Sequence, residues 1–316
     1  MTTIRNQCFD EERALYGSDG VQVVSCLFDG PADGESAFKE SRNITARSSR
    51  FNLRYPFWHD EHVVIDGCEL TPLCRAAVWY SRDVKITDTR LHGIKALREC
   101  ADVRMEGCDI VSPEFGWSVS GIKMKNCSAE SEYFMLRSDH LVFDHVTLKG
   151  KYSFQYIADA VFTNCVFDTK DAFWHAKNVL VKDSVIRGEY LGWYSENLTL
   201  ENCTILGTQP LNYCRGLKMI NCRMEQTDLA FERSQVDAEI TTVVDSIKNP
   251  RSGVIQVPGV REIIMDDPLA KGRIIVTDET TKAREPAETA GPGGDAAGCG
   301  LEDRDLRRFS DLLTIL

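Results

Sequence analysis

The side chains with chemistry to offer share one repeat position. Trp58, Trp79, Trp117, Trp174 and Trp193 are all the tryptophans of the chain, and a hydrogen-bonding residue follows each: His59, Tyr80, Ser118, His175 and Tyr194. Equivalent positions elsewhere hold Arg98–Glu99, Leu136–Arg137, Gln155–Tyr156 and Asn212–Tyr213. Flat rings rimmed by hydrogen-bonding groups suit the apolar faces of sugar rings. Pointing outward, such a strip also exceeds the apolar area that a monomer exposes without a use for it. The expected ligand-binding set is Trp58, Trp79, Arg98, Arg137, Tyr156, Trp174, His175, Trp193, Tyr194 and Tyr213, with an oligo- or polysaccharide as ligand.

Bond-cleaving chemistry finds less support. Glu99 is the one carboxylate in the middle of the strip, with Arg98 beside it and Tyr80 and Arg137 on repeats to either side, so it is the catalytic candidate. Glycoside hydrolysis needs a second carboxyl about 5–9.5 Å away, yet Asp60 and Glu61 lie towards the N-terminal end and His59 and His175 several repeats apart. A calcium-dependent lyase would want carboxylates on adjacent repeats and a base. No such cluster and no Cys-x-x-Cys pair is present, so neither a metal nor another cofactor is expected. The rival reading is a non-enzymatic scaffold whose aromatic face meets another protein or a second copy.

The elements that carry these residues are written in the spacing. The segments beginning Asn178-Val-Leu-Val-Lys-Asp-Ser and Asn197-Leu-Thr-Leu-Glu-Asn-Cys repeat one pattern nineteen residues apart. Taking Ser184 and Cys203 as anchors, the equivalents are Cys26, Ser49, Cys68, Thr89, Cys108, Cys127, Val146, Cys165 and Cys222, with spacings of 23, 19 and 21 and then 19 seven times. Apolar residues stand five and three before each anchor and two after it, as in Val179, Val181 and Ile186. That is period-2 strand patterning with one change of phase, which demands a bend. The bend falls one residue before the anchor, where Gly, Asn, Asp, Ser and His stand, types that mostly tolerate a left-handed backbone. A second corner lies six before it, and a third follows the last strand, often at a glycine such as Gly93, Gly150, Gly188 or Gly207. The apolar residue before each tryptophan and the small one two after it require a further bend or bulge at the tryptophan itself. Lys39, Arg98, Gln155 and Asn212 in that column favour outward-facing rings, whereas core-filling rings remain the alternative.

Three strands and three unequal sides per coil give an all-β chain, a right-handed single-stranded parallel β-helix (solenoid) of about eleven or more 19-residue coils. The Asn-Cys corner followed by an apolar strand resembles the right-handed β-helix of pectin-lyase-like proteins. More narrowly, Glu-Arg-Ala-Leu-Tyr at 12–16, Glu-Ser-Ala-Phe-Lys-Glu-Ser-Arg-Asn-Ile at 35–44 and Ser-Ile-Lys-Asn-Pro at 246–250 resemble a bacterial β-helix family of unassigned function. The superfamily resemblance implies a polysaccharide on the long face of the rod and transfers no catalytic motif.

A net charge of −11 argues against a nucleic-acid backbone or an anionic membrane as partner. No apolar core follows Met1 and no run approaches a membrane span, so a cytoplasmic protein is expected. Of twelve cysteines, seven occupy the inward anchor column, which reads as free structural thiols and suits a reducing compartment. The expected organisation is an N-terminal cap at 1–12, the β-helix at 13–230, irregular C-terminal coils at 231–276, and a disordered linker with a short tail helix at 277–316. Strands are expected at Glu239–Val244, Gly253–Val257 and Glu262–Met265. Because the segment after Thr277 is rich in Glu, Thr, Ala, Pro and Gly, it contributes little to folding. A chain ending at Glu279 should keep its melting temperature within about five degrees; a collapse of solubility or stability would assign Leu301–Leu316 an essential capping role.

Overall fold

The computed structural model describes residues 1–30 and 35–278. They form a right-handed parallel β-solenoid of about 14 turns with coils near nineteen residues. The coil around Ser184 shows how the sequence builds it. Strand Lys177–Lys182 lies between Ala158–Thr163 of the coil before and Glu196–Glu201 of the coil after, with Val179 opposite Ala160 and Leu198. Alternation turns Val179 and Val181 into the core. Asp183 then takes a φ of 51°, and strand Val185–Arg187 starts in a new direction with Ser184 and Ile186 inside.

Both corner columns behave as their residue types require. Every residue one before an anchor, from Ser25 to Asn221, has a φ between 46° and 65°. Every residue six before, from Gly20 to Gly216, has a φ between 49° and 74°. Outside the rod the corner amides and carboxylates bond along the axis: Asn178 Nδ2 donates to Asp159 (2.9 Å), Asn202 Nδ2 to Asp183 (2.9 Å), and Asn221 Nδ2 to Asn202 (2.8 Å).

The left-handed bend has an inward consequence that explains the anchors. It swings the next N–H into the core, where no water can reach it. The anchor of the following coil accepts that N–H: Cys26 donates to Ser49 Oγ (3.1 Å), Cys68 to Thr89 Oγ1 (3.2 Å) and Cys165 to Ser184 Oγ (2.9 Å). Each accepting group then donates its own hydrogen to a carbonyl two residues back, as Ser184 Oγ does to Lys182 (2.6 Å) and Cys203 Sγ to Glu201 (3.3 Å). The column therefore needs a small side chain able to accept and donate, which Ser, Thr and Cys provide.

The third side differs from expectation. Its bends are left-handed residues thirteen and nine before the anchor, such as Tyr190 (φ 59°) and Tyr194 (φ 60°), joined from Gly116 onwards by one eleven before it, such as Gly192 (φ 72°). The bend expected at the tryptophans thus falls on the residue after each one, and for Trp117, Trp174 and Trp193 on the residue before as well. Gly207 serves a different need, because a Cβ there would stand 2.2 Å from the Gly188 carbonyl oxygen. Close approach of adjacent coils demands a glycine there, as does its φ of 127°.

The ends also depart from the sequence reading. Residues 1–12 do cover the next coil, but as a coil themselves: Thr2–Arg5 pairs with Val21–Val24 and Cys8–Phe9 with Leu27–Phe28. After a register shift between Met219 and Cys222, coils continue through strands Gln235–Ile240, Val244–Lys248, Ser252–Val257, Val260–Ile264 and Arg273–Val276. The expected strand Glu239–Val244 is therefore split at Thr241–Val243. Thr277 and Asp278 still donate to Val257 and Pro258; the linker and tail helix expected beyond them lie outside the described residues.

All eleven cysteines described are free, and only Cys8 is exposed. Burial pushes the thiols of Cys74, Cys100 and Cys165 up to about 12, so they stay protonated and unreactive at neutral pH. Among these eleven, Cys8 should be the one that a disulfide reagent titrates before denaturation. Ser184→Ala strands the Cys165 N–H and should cost about 1–3 kcal/mol in urea unfolding, whereas Ser184→Cys should recover most of it. Equal stability of the two variants would refute the coil-to-coil role of the anchor.

Candidate ligand-binding edge

The expected site residues lie along the third side, where two or three left-handed bends per coil leave little room for regular strand. Phe57, Val78, Leu97, Phe154, Phe173 and Leu211, each preceding the tryptophan position, are buried. So are the small residues two after it, Asp60, Ser81, Cys100, Ser138, Ala176, Ser195 and Cys214. Between these two inward columns the tryptophans are half-buried on the outside of the core. Trp117, Trp174 and Trp193 each donate the indole N–H to a carbonyl sixteen residues on, at Tyr133 (2.8 Å), Tyr190 (2.7 Å) and Gln209 (2.7 Å).

The polar members of the column find places in the same stack. Lys39 Nζ sits 4.1 Å above the Trp58 ring, Trp58 stacks on Trp79 at 5.4 Å, and the Arg98 guanidinium lies 5.2 Å over Trp117. Cation–π contact lets a charged side chain share a column with indoles. Asn212 is fully buried, with its Oδ1 accepting from the Glu232 N–H (2.7 Å).

The residues after the tryptophans form a second ladder at the corner. Tyr156, His175, Tyr194 and Tyr213 stack at 4.8, 5.0 and 4.9 Å with interplanar angles of 7°, 9° and 12°. Trp174 and Trp193 stack beside them at 5.4 Å and 3°. Near the N-terminal end His59 stacks on Tyr80 at 4.9 Å. The aromatic edge thus holds two clusters, the C-terminal ladder and a shorter N-terminal one. Tyr80 and Tyr156 are separated by coils carrying Glu99, Ser118 and Arg137, and Arg137 stands exposed between the clusters.

The rings also differ from a flat platform. Parallel rings about 5 Å apart along the axis are offset, so each is overlapped on both sides and offers water its edge and polar tip. The exception is the end of the ladder. The column-mate of Tyr213 on the next coil is Arg233, whose Nε is drawn to Asp267 (2.9 Å). Beside Tyr213 opens a cleft of about 550 Å³, bordered by Arg215, Arg233, Gln235, Arg251 and Ser252. Reading the columns for aromatics missed it, although Arg215, Arg233 and Arg251 recur at intervals of 18.

Glu99 is placed as an acceptor. Partial burial would raise its pKa, but hydrogen bonds from Tyr80 and Arg98 and the Arg98 charge outweigh that and hold it below the usual carboxylate range. Arg98 Nε lies 2.8 Å from Glu99 Oε1. Pairing of a tyrosine with a glutamate of the next coil recurs on this edge, with Tyr16 donating to Glu40 (2.6 Å) and Tyr213 to Glu232 (3.5 Å). A carboxylate held ionised is a poor general acid. The carboxyl next along its column, Glu40, is three coils away, roughly 14 Å at the usual strand spacing, beyond the reach of two-carboxylate hydrolysis. Among the described residues no group of three or more His, Cys, Asp or Glu is placed to hold a metal.

A rod of stacked parallel coils with an aromatic edge is the class of protein that these observations define. Residues 2–276 match the model of the family described as Protein of unknown function (DUF3737), and the chain belongs to that family. No curated protein matches it. Similar solved structures include the A-module of the Azotobacter vinelandii mannuronan C-5 epimerase AlgE4, 10% identical over 94% of this chain and 89% of that one, with a TM-score of 0.28. A periplasmic alginate epimerase, AlgG, is 8% identical over 82% of this chain and 77% of that one, at 0.26. The catalytic domain of a GH87 alpha-1,3-glucanase is 9% identical over 87% and 61%, at 0.22. Likeness at that level says nothing about the chemistry at this edge.

Asp60 gives the edge a pH dependence. It occupies the serine position of the inner column, with Oδ1 accepting from the Ser41 N–H (2.9 Å) and Oδ2 unpartnered. Burial raises its pKa to about 8. The unfolded carboxyl ionises near 4, so unfolding releases a proton between about pH 4 and pH 8. The stability contributed by Asp60 is full below pH 4, declines as pH rises through that window and is lost above it. Asp60→Ser restores the residue type of the column and should flatten this slope, raising the melting temperature most at pH 8. Parallel melting curves for the two proteins from pH 5 to pH 8 would contradict the assignment.

Proposed function

We propose that the chain is a carbohydrate-binding rod whose aromatic third side holds an oligo- or polysaccharide without cleaving it. The observation that carries this reading is the C-terminal ladder from Tyr156 to Tyr213, which ends on an open cleft. Tyr156 and Tyr194 remain 51% and 43% exposed, so their hydroxyls meet solvent along a line parallel to the rod. Such a row of aromatic edges and polar tips matches the alternating apolar and hydroxyl-bearing surfaces of a sugar chain. The N-terminal cluster around Trp58, Trp79 and Tyr80 adds a second, shorter contact. The pinned state of Glu99 favours binding over hydrolysis, and the buried free thiols favour work in the cytoplasm.

A protein contact is favoured by one further observation. Ile263, Met265, Leu269 and Ile275, all on the final coils, are 42–62% exposed. A second copy or a partner protein would cover them, and sedimentation at rising concentration reads that out.

The test of the main reading is a glycan panel titrated against indole emission, with iodide quenching measured alongside. Half-buried rings should be partly quenchable, and a bound oligosaccharide should protect them. Trp193→Ala removes a ring that touches Trp174, Tyr194 and Tyr213. It should weaken glycan binding by about tenfold, equivalent to about 1.4 kcal/mol, and cost about 2 kcal/mol of stability, less than for a fully buried ring. No response to any glycan would remove the carbohydrate reading and leave the protein contact.

A further inference from the structure

The cleft beside Tyr213 is set apart by the charges that line it. Several basic side chains of the rod meet acidic ones one coil away, such as Arg50 with Glu69 (3.5 Å), Lys95 with Glu114 (3.2 Å), Lys170 with Glu189 (3.0 Å) and Lys182 with Glu201 (2.8 Å). Arg215 has no such partner. On the coil before, Glu196 is already held by Lys177 (3.6 Å), and on the coil after stands the neutral Gln235. Arg251 faces the same space, and neither guanidinium makes an ion pair with a described residue. Among the described residues no carboxylate lines the cleft, in a chain whose net charge is −11.

Two unneutralised guanidiniums are not needed to keep an acidic protein soluble, because net charge already does that. Guanidinium is weakly hydrated and presents a planar fork of donors that matches an oxyanion in a bidentate manner. Tyr213 supplies a ring at the end of its stack, and Gln235 and Ser252 supply hydrogen-bonding groups to the same cleft. The volume falls within the range of small-ligand sites.

We propose that this cleft is the acidic-sugar subsite of the rod, taking a saccharide unit that bears an oxyanion, with its ring against Tyr213 and its acid on Arg215 and Arg251. This rests on the carbohydrate reading and adds to it a ligand class and an end of the rod where the charged unit sits. Arg233 contributes by being held away: its ion pair with Asp267 keeps it from lying over Tyr213.

The experiment compares four probes by calorimetry on the full chain: a neutral hexasaccharide, a hexauronate, a sulfated hexasaccharide and inorganic sulfate alone. The hexauronate or the sulfated hexasaccharide should bind more tightly than the neutral one, with affinity falling as salt is added; which of the two is preferred identifies the acid. Arg215→Gln with Arg251→Gln should reduce acidic-glycan affinity by about tenfold per guanidinium removed and abolish the preference over neutral glycan, while the melting temperature stays put. Neutral and acidic glycans bound equally by the natural chain, or an acidic-glycan affinity unchanged in the double variant, overturn the subsite but leave the carbohydrate reading standing. Inorganic sulfate bound as tightly as the acidic hexasaccharides would reduce the cleft to a plain anion site and also overturn it. Silence towards all three glycans removes both readings together.

Discussion

One buried N–H per corner governs this fold. A left-handed residue turns the chain sharply, and the amide that follows points into a core that water cannot enter. An unpaired buried amide costs about 1–3 kcal/mol, and corners recur through about 14 turns. The fold solves this with a side chain from the next coil, a hydroxyl or thiol that accepts the amide and passes its own hydrogen to a carbonyl. The same device appears at the corner beneath the aromatic edge, where Ser18 donates to Ser41 Oγ, Val119 to Ser138 Oγ and Cys214 to Ser234 Oγ. Cysteine abundance is thus a matter of hydrogen bonding and volume rather than of cross-linking.

The outward half of the same corner produces the surface that carries the proposed function. At this corner the left-handed residue aims its side chain away from the core, and identical corners a coil apart bring such side chains within stacking distance. Tyr, His and Glu at these positions therefore pair with one another whether or not a ligand is present. Stacking offsets the strain of placing bulky residues at positive φ, a conformation that they otherwise avoid. The proposed ligand contacts begin where a ladder stops, since an interrupted stack leaves one ring without a neighbour on one face.

Much of this was legible in the residues. The nineteen-residue period, the Asn-Cys corners and the alternation around them require no more than the pattern of Val179, Val181, Ser184 and Ile186. The outward disposition of the tryptophans was only half legible. Lys39 and Arg98 pointed to it, but indoles bonded to carbonyls sixteen residues on depend on the stacking distance of whole coils. Glu99 read as a candidate acid because sequence places Arg98 and Tyr80 near it but does not show that both hydrogen-bond to its carboxylate and hold it ionised. The cleft escaped notice because its arginines belong to different columns, Arg233 following Tyr213 and Gln235 following Arg215, so no column of one residue type marks it.

Val146 is the anchor that can neither accept nor donate, and it has a mechanical consequence. Around it the chain abandons short segments for two thirteen-residue strands, Ser120–Glu132 and Asp139–Lys151, paired at eleven positions. Those positions run past the corner that divides the strands of other coils, so the ladder there acts as a splint across two sides at once. Pulled or twisted, the rod should yield towards its ends, where pairings shorten to two residues such as Cys8 and Phe9 with Leu27 and Phe28. The middle, between the two aromatic clusters, is then the stiff spacer that fixes the distance from one to the other.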